Sequence, residues 1–353
     1  MVALLERSNI MSEIREYNIE DIEANKKKNK NRGKKSFIIF GCIIVGIIIL
    51  AMMGNFVKSI ILGEEEDITV KVPYIATLYV NGLITQVQTD TFGIPIGYQH
   101  KWTIKKIDDL MADYNNRGLI LFIDSPGGGI YESDELYLKL NDYKEKTGRP
   151  VYAVMGSMAT SGGYYISTPA DKIIANRNTL TGSIGVTIGT FYDISEFLER
   201  YGIKTVTITA GENKAMGNMV KPLTDEQKEI FQSLVDNAYE QFINIVSKER
   251  EIELGQVKKL SDGRIYTAKQ AIDLQLVDDI GNLEYAVEDM KTNYNLEDCE
   301  VIDVVYRRTS LLGSLLGEVR IPDIKSSDVT ALLDIIDGND RFPISYECEI
   351  LKY

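Results

Sequence analysis

The chain has 353 residues, enough for one large domain or two smaller ones, and 44% of them are hydrophobic, so it can bury a sizeable core. Its formal charge of -13 is uneven: residues 1–57 carry a net +3 and the remainder -16. A folded part that acidic argues against a nucleic-acid partner, because affinity for a phosphate backbone comes from Lys and Arg displacing counterions. The cysteines, Cys42, Cys299 and Cys348, offer no metal-ligand spacing, which argues against zinc, and sequence separation does not say whether Cys299 and Cys348 pair.

Residues 1–35 are polar and end in a basic run over 26–35, too poor in apolar groups to pack, and read as a cytosolic tail that starts at Met1 or Met11. Residues 36–57 follow, apolar and free of charge over 37–57, long enough to cross a hydrocarbon core of about 30 Å. The polar stretch before them is long for a cleaved signal peptide, so an uncleaved anchor is the reading. Lysines crowd the near flank and Glu64, Glu65, Glu66 and Asp67 the far one. That asymmetry predicts a single pass through the cytoplasmic membrane, N-terminus inside and the folded domain outside.

After a linker over 58–73, a domain over 74–300 alternates short apolar runs with helical periodicity. Strands are predicted over 75–80, 119–123, 151–155, 173–175 and 205–209, and helices over 104–114, 132–146, 194–201 and a long stretch after Pro222. In that last helix Thr224 and Gln227 form a capping box, and Phe231, Leu234, Val235, Ala238, Phe242 and Ile245 share one face. Such alternation predicts an α/β fold with a largely parallel sheet. Residues 301–353 form a tail with a small apolar repeat over 310–317 and no readable role.

The stretch 155–165, Met-Gly-Ser-Met-Ala-Thr-Ser-Gly-Gly-Tyr-Tyr, places Ser161 where a buried strand turns into a buried helix. Its glycines permit a sharp turn and close approach of another chain, and the unpaired N–H groups of a helix start can hold a developing oxyanion. An ordinary small-residue helix start fits the same residues equally well. Glycine-rich stretches at 124–129 and 181–185 suit a site at the sheet edge, or plain loops; neither matches a phosphate-binding motif.

A serine nucleophile needs a base. The single histidine, His100, lies in a polar, loop-like context and reads as a surface residue, which disfavours a Ser-His-Asp triad. A lysine can serve if burial lowers its pKa from about 10.4 toward 7 to 8, at a cost of about 4 kcal/mol. Lys214, in a small-residue turn over 210–217, is the first candidate, with Lys204 and Lys221 as rivals. No Ser-x-x-Lys occurs beyond the apolar span, so a penicillin-binding arrangement is unsupported.

Four motifs in order, Asp124-Ser-Pro-Gly-Gly-Gly, Met158-Ala-Thr-Ser-Gly-Gly-Tyr-Tyr, Thr181-Gly-Ser-Ile-Gly-Val and Asp262-Gly-Arg-Ile-Tyr-Thr-Ala, resemble the signal peptide peptidase A family of membrane-anchored Ser-Lys proteases. The resemblance covers roughly 74–290. It implies an α/β, ClpP/crotonase-like spiral of ββα units preceded by one transmembrane helix, and homo-oligomers whose neighbouring subunits complete the groove. It further implies a serine endopeptidase that degrades remnant signal peptides or other small apolar polypeptides without metal or cofactor. By motif, Ser161 is the nucleophile, Lys214 the general base and Ser183 the residue that orients the lysine, with the backbone N–H groups of Gly128 and Gly162 as oxyanion donors.

This sequence departs from the family at Thr160, where a smaller residue is common, after Lys214, where the pattern is poorly kept, and at Gln275, where glycine is common. A different helix end is expected at Gln275. An inactive peptide-binding scaffold and a crotonase-like thioester enzyme are the competing readings, and the C-terminal segment is a candidate self-inhibitor of the groove.

Overall fold

A computed structural model of the protein describes residues 64–65, 70–89, 95–306, 308–309 and 345–347. The expected cytosolic tail, the membrane span over 36–57, the repeat over 310–317 and Cys348 lie outside the described residues. Among the described residues no helix is long and apolar enough to cross a membrane. The chain divides into two units. The first, Met1–Glu66 with Arg307–Pro322, shows a two-residue antiparallel ladder between Glu64–Glu65 and Arg308–Thr309. The second, Asp67–Tyr306 with Asp323–Tyr353, carries a mixed α/β fold.

The principal elements of that second unit, in chain order, are β1 (Tyr74–Asn81), α1 (His100–Ala112), β2 (Asn116–Ser125), β3 (Gly127–Gly129), α2 (Ile130–Thr147), β4 (Val151–Thr160), α3 (Gly162–Ser167), β5 (Lys172–Ala175) and β6 (Leu180–Gly182). They continue with α4 (Asp225–Glu249), β7 (Ile265–Thr267), α5 (Ala268–Asp273), β8 (Asp279–Ile280), α6 (Leu283–Tyr294), β9 (Glu300–Val304) and β10 (Ser345–Glu347). The main sheet runs β7-β6-β4-β2-β1-β9, with β5 on β4 and β8 on β5. All neighbours are parallel except β7 on β6.

The central strands are near-continuous apolar runs because both faces are covered. Ile75, Ile120, Tyr152 and Ile174 pack with Ala286 and Met290 of α6 on one side. Residues of opposite parity, Ala76, Leu121 and Ala153, join Ile107 of α1 and Leu136 and Leu140 of α2 on the other.

Strand β4 changes partners along its length. Tyr152–Met155 pairs with β5, whereas Met158–Thr160 pairs with β6. Between them, Gly156 passes so close to Asp124 that a Cβ would lie 3.0 Å from the Asp124 Cβ. The Asp124 carboxylate accepts hydrogen bonds from Ser157 Oγ at 2.6 Å and from Met158 N at 3.1 Å, which pins the fork. The second half of β4 is thereby aimed away from β5, and Ser161 follows it.

Two sequence expectations are corrected. No strand forms over 205–209: these residues have no ladder partner among the described residues, and Val206 and Ile208 are 85% and 92% exposed. Their β-branched side chains favour a pleated surface, but a strand requires a neighbour to pair with. His100 is not a surface residue. It opens α1, is 1% exposed, and its ring lies between the Tyr98 hydroxyl (2.7 Å from Nδ1) and Glu135 (2.6 Å from Nε2). Of the neighbours that suggested a loop, Tyr98 supplies one partner for the buried ring, and the other, Glu135, comes from α2.

Helix α4 carries the expected capping box, Gln227 N donating to Thr224 Oγ1 at 3.2 Å and Thr224 N to Gln227 Oε1 at 3.4 Å. Burial is confined to its C-terminal half, at Phe242, Ile243 and Val246. After α5, Gln275 adopts the left-handed conformation expected of a glycine, φ 61°, and the chain turns there with Leu276 N donating to Ala271 O at 2.8 Å.

Candidate active site

Ser161 is the residue between β4 and α3, and it is 1% exposed. Its backbone, at φ 55° and ψ -116°, is sterically unfavourable for a residue with a Cβ, at a cost of about 1–3 kcal/mol that the surroundings must offset. They do so by fixing both sides of the turn. Ser161 N donates to Gly182 O at 2.7 Å, and Tyr165 N donates to Ser161 O at 2.9 Å. Behind it Tyr164 is fully buried, with its hydroxyl donating to Leu276 O at 3.0 Å. A strand-to-helix turn of this kind lifts a nucleophile out of the sheet, toward a substrate.

The glycine strand β3 lies alongside. On one edge Ile84 N donates to Gly127 O and Gly129 N to Ile84 O, both at 2.8 Å. On the other edge β10 pairs with it in antiparallel register, Tyr346 opposite Gly128. Side chains are excluded here by crowding. A Cβ on Gly127, whose φ is +103°, would lie 2.0 Å from the Tyr346 carbonyl oxygen, 2.8 Å from Gly162 N and 3.1 Å from Ser161 Cβ. One on Gly162 would lie 2.6 Å from Ser133 Oγ, 3.1 Å from Gly128 N and 3.2 Å from the same Tyr346 oxygen. A peptide carbonyl, the nitrogens of Gly128 and Gly162, and Ser161 therefore converge on one spot.

Ser183 is brought to the same place. It follows Gly182, whose carbonyl holds Ser161 N, and it too has positive φ, 50°. Its own N–H donates to Arg264 O at 2.8 Å, and Ile265 pairs with Gly182, so the Asp262-Gly-Arg-Ile motif clamps the segment. Lys214 is not brought there. It lies in an exposed turn, its N–H donating to Gly211 O at 3.3 Å, and no hydrogen bond joins it to Ser161 or Ser183 among the described residues. Lys204 and Lys221 are exposed as well.

One neighbour was not singled out by sequence reasoning. Ser133, on the first turns of α2, is fully buried, and its hydroxyl reaches no hydrogen-bond partner among the described residues. Its position four residues past the glycine run 127–129 was the available signal.

A buried serine on a strained strand-to-helix turn, set against a glycine strand that carries a paired peptide, is the arrangement of a serine peptidase. The sequence profile of peptidase family S49 matches residues 143–297. The Enterococcus faecium protein described as signal peptide peptidase SppA is 37% identical over 243 residues, which span 69% of this chain and 70% of that one. Protease 4 of Haemophilus influenzae is 33% identical over 225 residues, 62% of this chain and 36% of the relative. Among solved structures, a ClpP1 mutant from Listeria monocytogenes aligns over 60% of this chain and 94% of its own, at 17% identity and a TM-score of 0.38. The chain belongs to peptidase family S49, within the signal peptide peptidase A group, and is a serine protease of mixed α/β fold.

Proposed function

We propose that this protein is an endopeptidase that uses a Ser161–Lys214 dyad to degrade remnant signal peptides or other small apolar polypeptides. It works at the outer face of the cytoplasmic membrane, held by a single span at 36–57. The observation that carries the reading is the β10–β3 ladder: the groove beside Ser161 accepts an extended peptide and sets its carbonyl near the nitrogens of Gly128 and Gly162. Ser161 Oγ attacks the scissile carbonyl carbon, Lys214 takes the hydroxyl proton, and the Gly128 and Gly162 N–H groups stabilise the oxyanion. The proton then passes to the leaving amine, and water hydrolyses the ester. Ser183 directs the lysine with a hydroxyl that adds no charge.

A lysine serves as base only when desolvated, and Lys214 is exposed in one chain. The segment that carries it also exposes Tyr192, Phe197, Tyr201, Ile203, Val206 and Ile208, an apolar surface of the kind that marks an interface. In this reading a homo-oligomer covers that arm and completes the groove around the dyad, on a ClpP/crotonase-like spiral of ββα units. Apolar peptide substrates concentrate at a bilayer, which suits an anchored enzyme.

Replacing Ser161 or Lys214 by Ala is expected to lower turnover of an apolar reporter peptide by at least about 100-fold, the usual worth of a nucleophile or general base. Wild-type turnover in both variants overturns the dyad. The exposed Lys214 favours, as a second reading, a peptide-binding scaffold; that reading requires the unmodified chain to show no turnover at all.

A further inference from the structure

Ser133 stands against Gly162 with its hydrogen-bonding capacity unused. It is fully buried, and its hydroxyl has no hydrogen-bond partner among the described residues. A serine within a helix commonly returns its hydroxyl to a carbonyl of the preceding turn, and burying one that does not is destabilising. The residues around it, by contrast, are each tied down. Glu132 accepts from Gln86 Nε2 at 2.8 Å, Asp134 accepts from the Tyr165 hydroxyl at 2.6 Å and from Gln241 Nε2 at 2.9 Å, and Glu135 lies 2.6 Å from His100 Nε2. These acidic side chains fasten one turn of α2 to the segment after β1, to α3, to α4 and to α1.

The bond between Asp134 and Tyr165 bears most directly on the site. Tyr165 shares the short helix α3 with Gly162, so this bond sets how far Ser133 stands from Gly162. The point that a Gly162 Cβ would fill lies 2.6 Å from Ser133 Oγ, 3.1 Å from Gly128 N and 3.2 Å from the Tyr346 carbonyl oxygen. A hydroxyl, a backbone N–H and a peptide carbonyl oxygen therefore surround the bare Cα face of Gly162. Any side chain at 162 would stand between the hydroxyl and that oxygen.

We infer that Ser133 is a third oxyanion donor, held ready on α2 and engaged in the tetrahedral intermediate. The inference rests on the peptidase reading above, in which Gly128 and Gly162 supply the other two donors. A substrate carbonyl oxygen has two lone pairs, which two N–H groups satisfy. When Ser161 Oγ bonds to the carbonyl carbon, the π pair moves onto the oxygen, which gains a full charge and a further lone pair. Ser133 donates its O–H to that oxygen and keeps its proton. As the pair returns and the C–N bond breaks, the leaving nitrogen takes the proton that Ser161 gave up, and the Ser133 hydroxyl is released. A donor engaged by the intermediate and not by the substrate lowers the barrier without tightening substrate binding, so its contribution falls on kcat and not on KM.

The test is Ser133→Ala in the full-length protein, with cleavage of an apolar reporter peptide, the pH–rate profile and thermal unfolding read on one preparation. The kcat is expected to fall about 10- to 100-fold, the worth of a hydrogen bond to a charged acceptor, with KM within about 2-fold of wild type. The Tm should be no lower than wild type, because alanine removes a buried hydroxyl that lacks a partner. The pH–rate profile should keep its midpoint, since the donor does not touch the base. A peptide aldehyde, whose adduct on Ser161 reproduces the tetrahedral oxygen, should inhibit more weakly by the same factor as kcat/KM falls. An unchanged kcat overturns the inference. So does a loss accompanied by a lower Tm, which marks a packing residue, or by a displaced pH midpoint, which marks a residue that orients the base. An unmodified chain with no turnover would defeat the peptidase reading and the third donor together, whereas an active wild type with an equally active Ser133→Ala defeats the third donor alone.

Discussion

Gly162 is the residue where packing and chemistry are most tightly joined, and replacing it by Ala separates them. The new Cβ would lie 2.6 Å from Ser133 Oγ, closer than side-chain atoms come, and Ser133 is fully buried and has no solvent to swing into. Either α2 or the start of α3 must shift. Overpacking of this kind costs about 1–3 kcal/mol, a fall in Tm of about 3–10 °C for a domain of this size. The same shift moves the Gly162 N–H, a proposed oxyanion donor, and losing one such donor costs about 100- to 1,000-fold in kcat. Adding Ser133→Ala removes the oxygen in the way but leaves the Cβ 3.1 Å from Gly128 N. The double variant should therefore recover most of the Tm and only part of the kcat, read by thermal unfolding and by peptide cleavage on one preparation. A Gly162→Ala enzyme with wild-type kcat/KM would refute the donor role, and a Tm that Ser133→Ala fails to restore would refute the assigned clash.

Charging the exposed arm, as in Val206→Asp with Ile208→Asp, should leave the fold of the single chain intact, since both residues lie in solvent. It should lower assembly size by light scattering and turnover together; full activity from a monomer would contradict the oligomer reading. Gln275→Gly relieves a left-handed residue, offset in part by greater freedom of the unfolded chain, so stability should rise by up to about 1 kcal/mol, seen as a Tm increase of a few degrees with kcat unchanged. A lower Tm would show that Gln275 is held by contacts that outweigh its backbone.

The parallel centre of the sheet was legible because Leu119 to Ile123 and Val151 to Met155 are apolar on both faces, a pattern that a doubly covered strand imposes. The long helix was legible from Thr224 and Gln227, whose capping bonds are local. The failures are non-local. Val206 and Ile208 have strand-forming side chains and no strand partner among the described residues, and the burial of His100 depends on Glu135, 35 residues away. At the site, the glycine runs pointed to close approach without saying what approaches. That role falls to Tyr346, separated by more than 200 residues from the strand it pairs with, a register no periodicity could show. The strand-to-helix turn at Ser161 was legible from the apolar run before it and the glycines around it, although those residues fit an ordinary helix start equally well. Its left-handed backbone is the added information, since strain at a buried serine marks a position that the fold supports for a purpose beyond packing.

The central claim is that Ser161 is an activated nucleophile. Full-length protein treated with a peptidyl phosphonate and examined by intact mass and peptide mapping should carry one adduct per chain, on Ser161. The adduct should be absent from Ser161→Ala and form far more slowly in Lys214→Ala. Modification of another serine, or labelling of Lys214→Ala at the wild-type rate, would contradict the account.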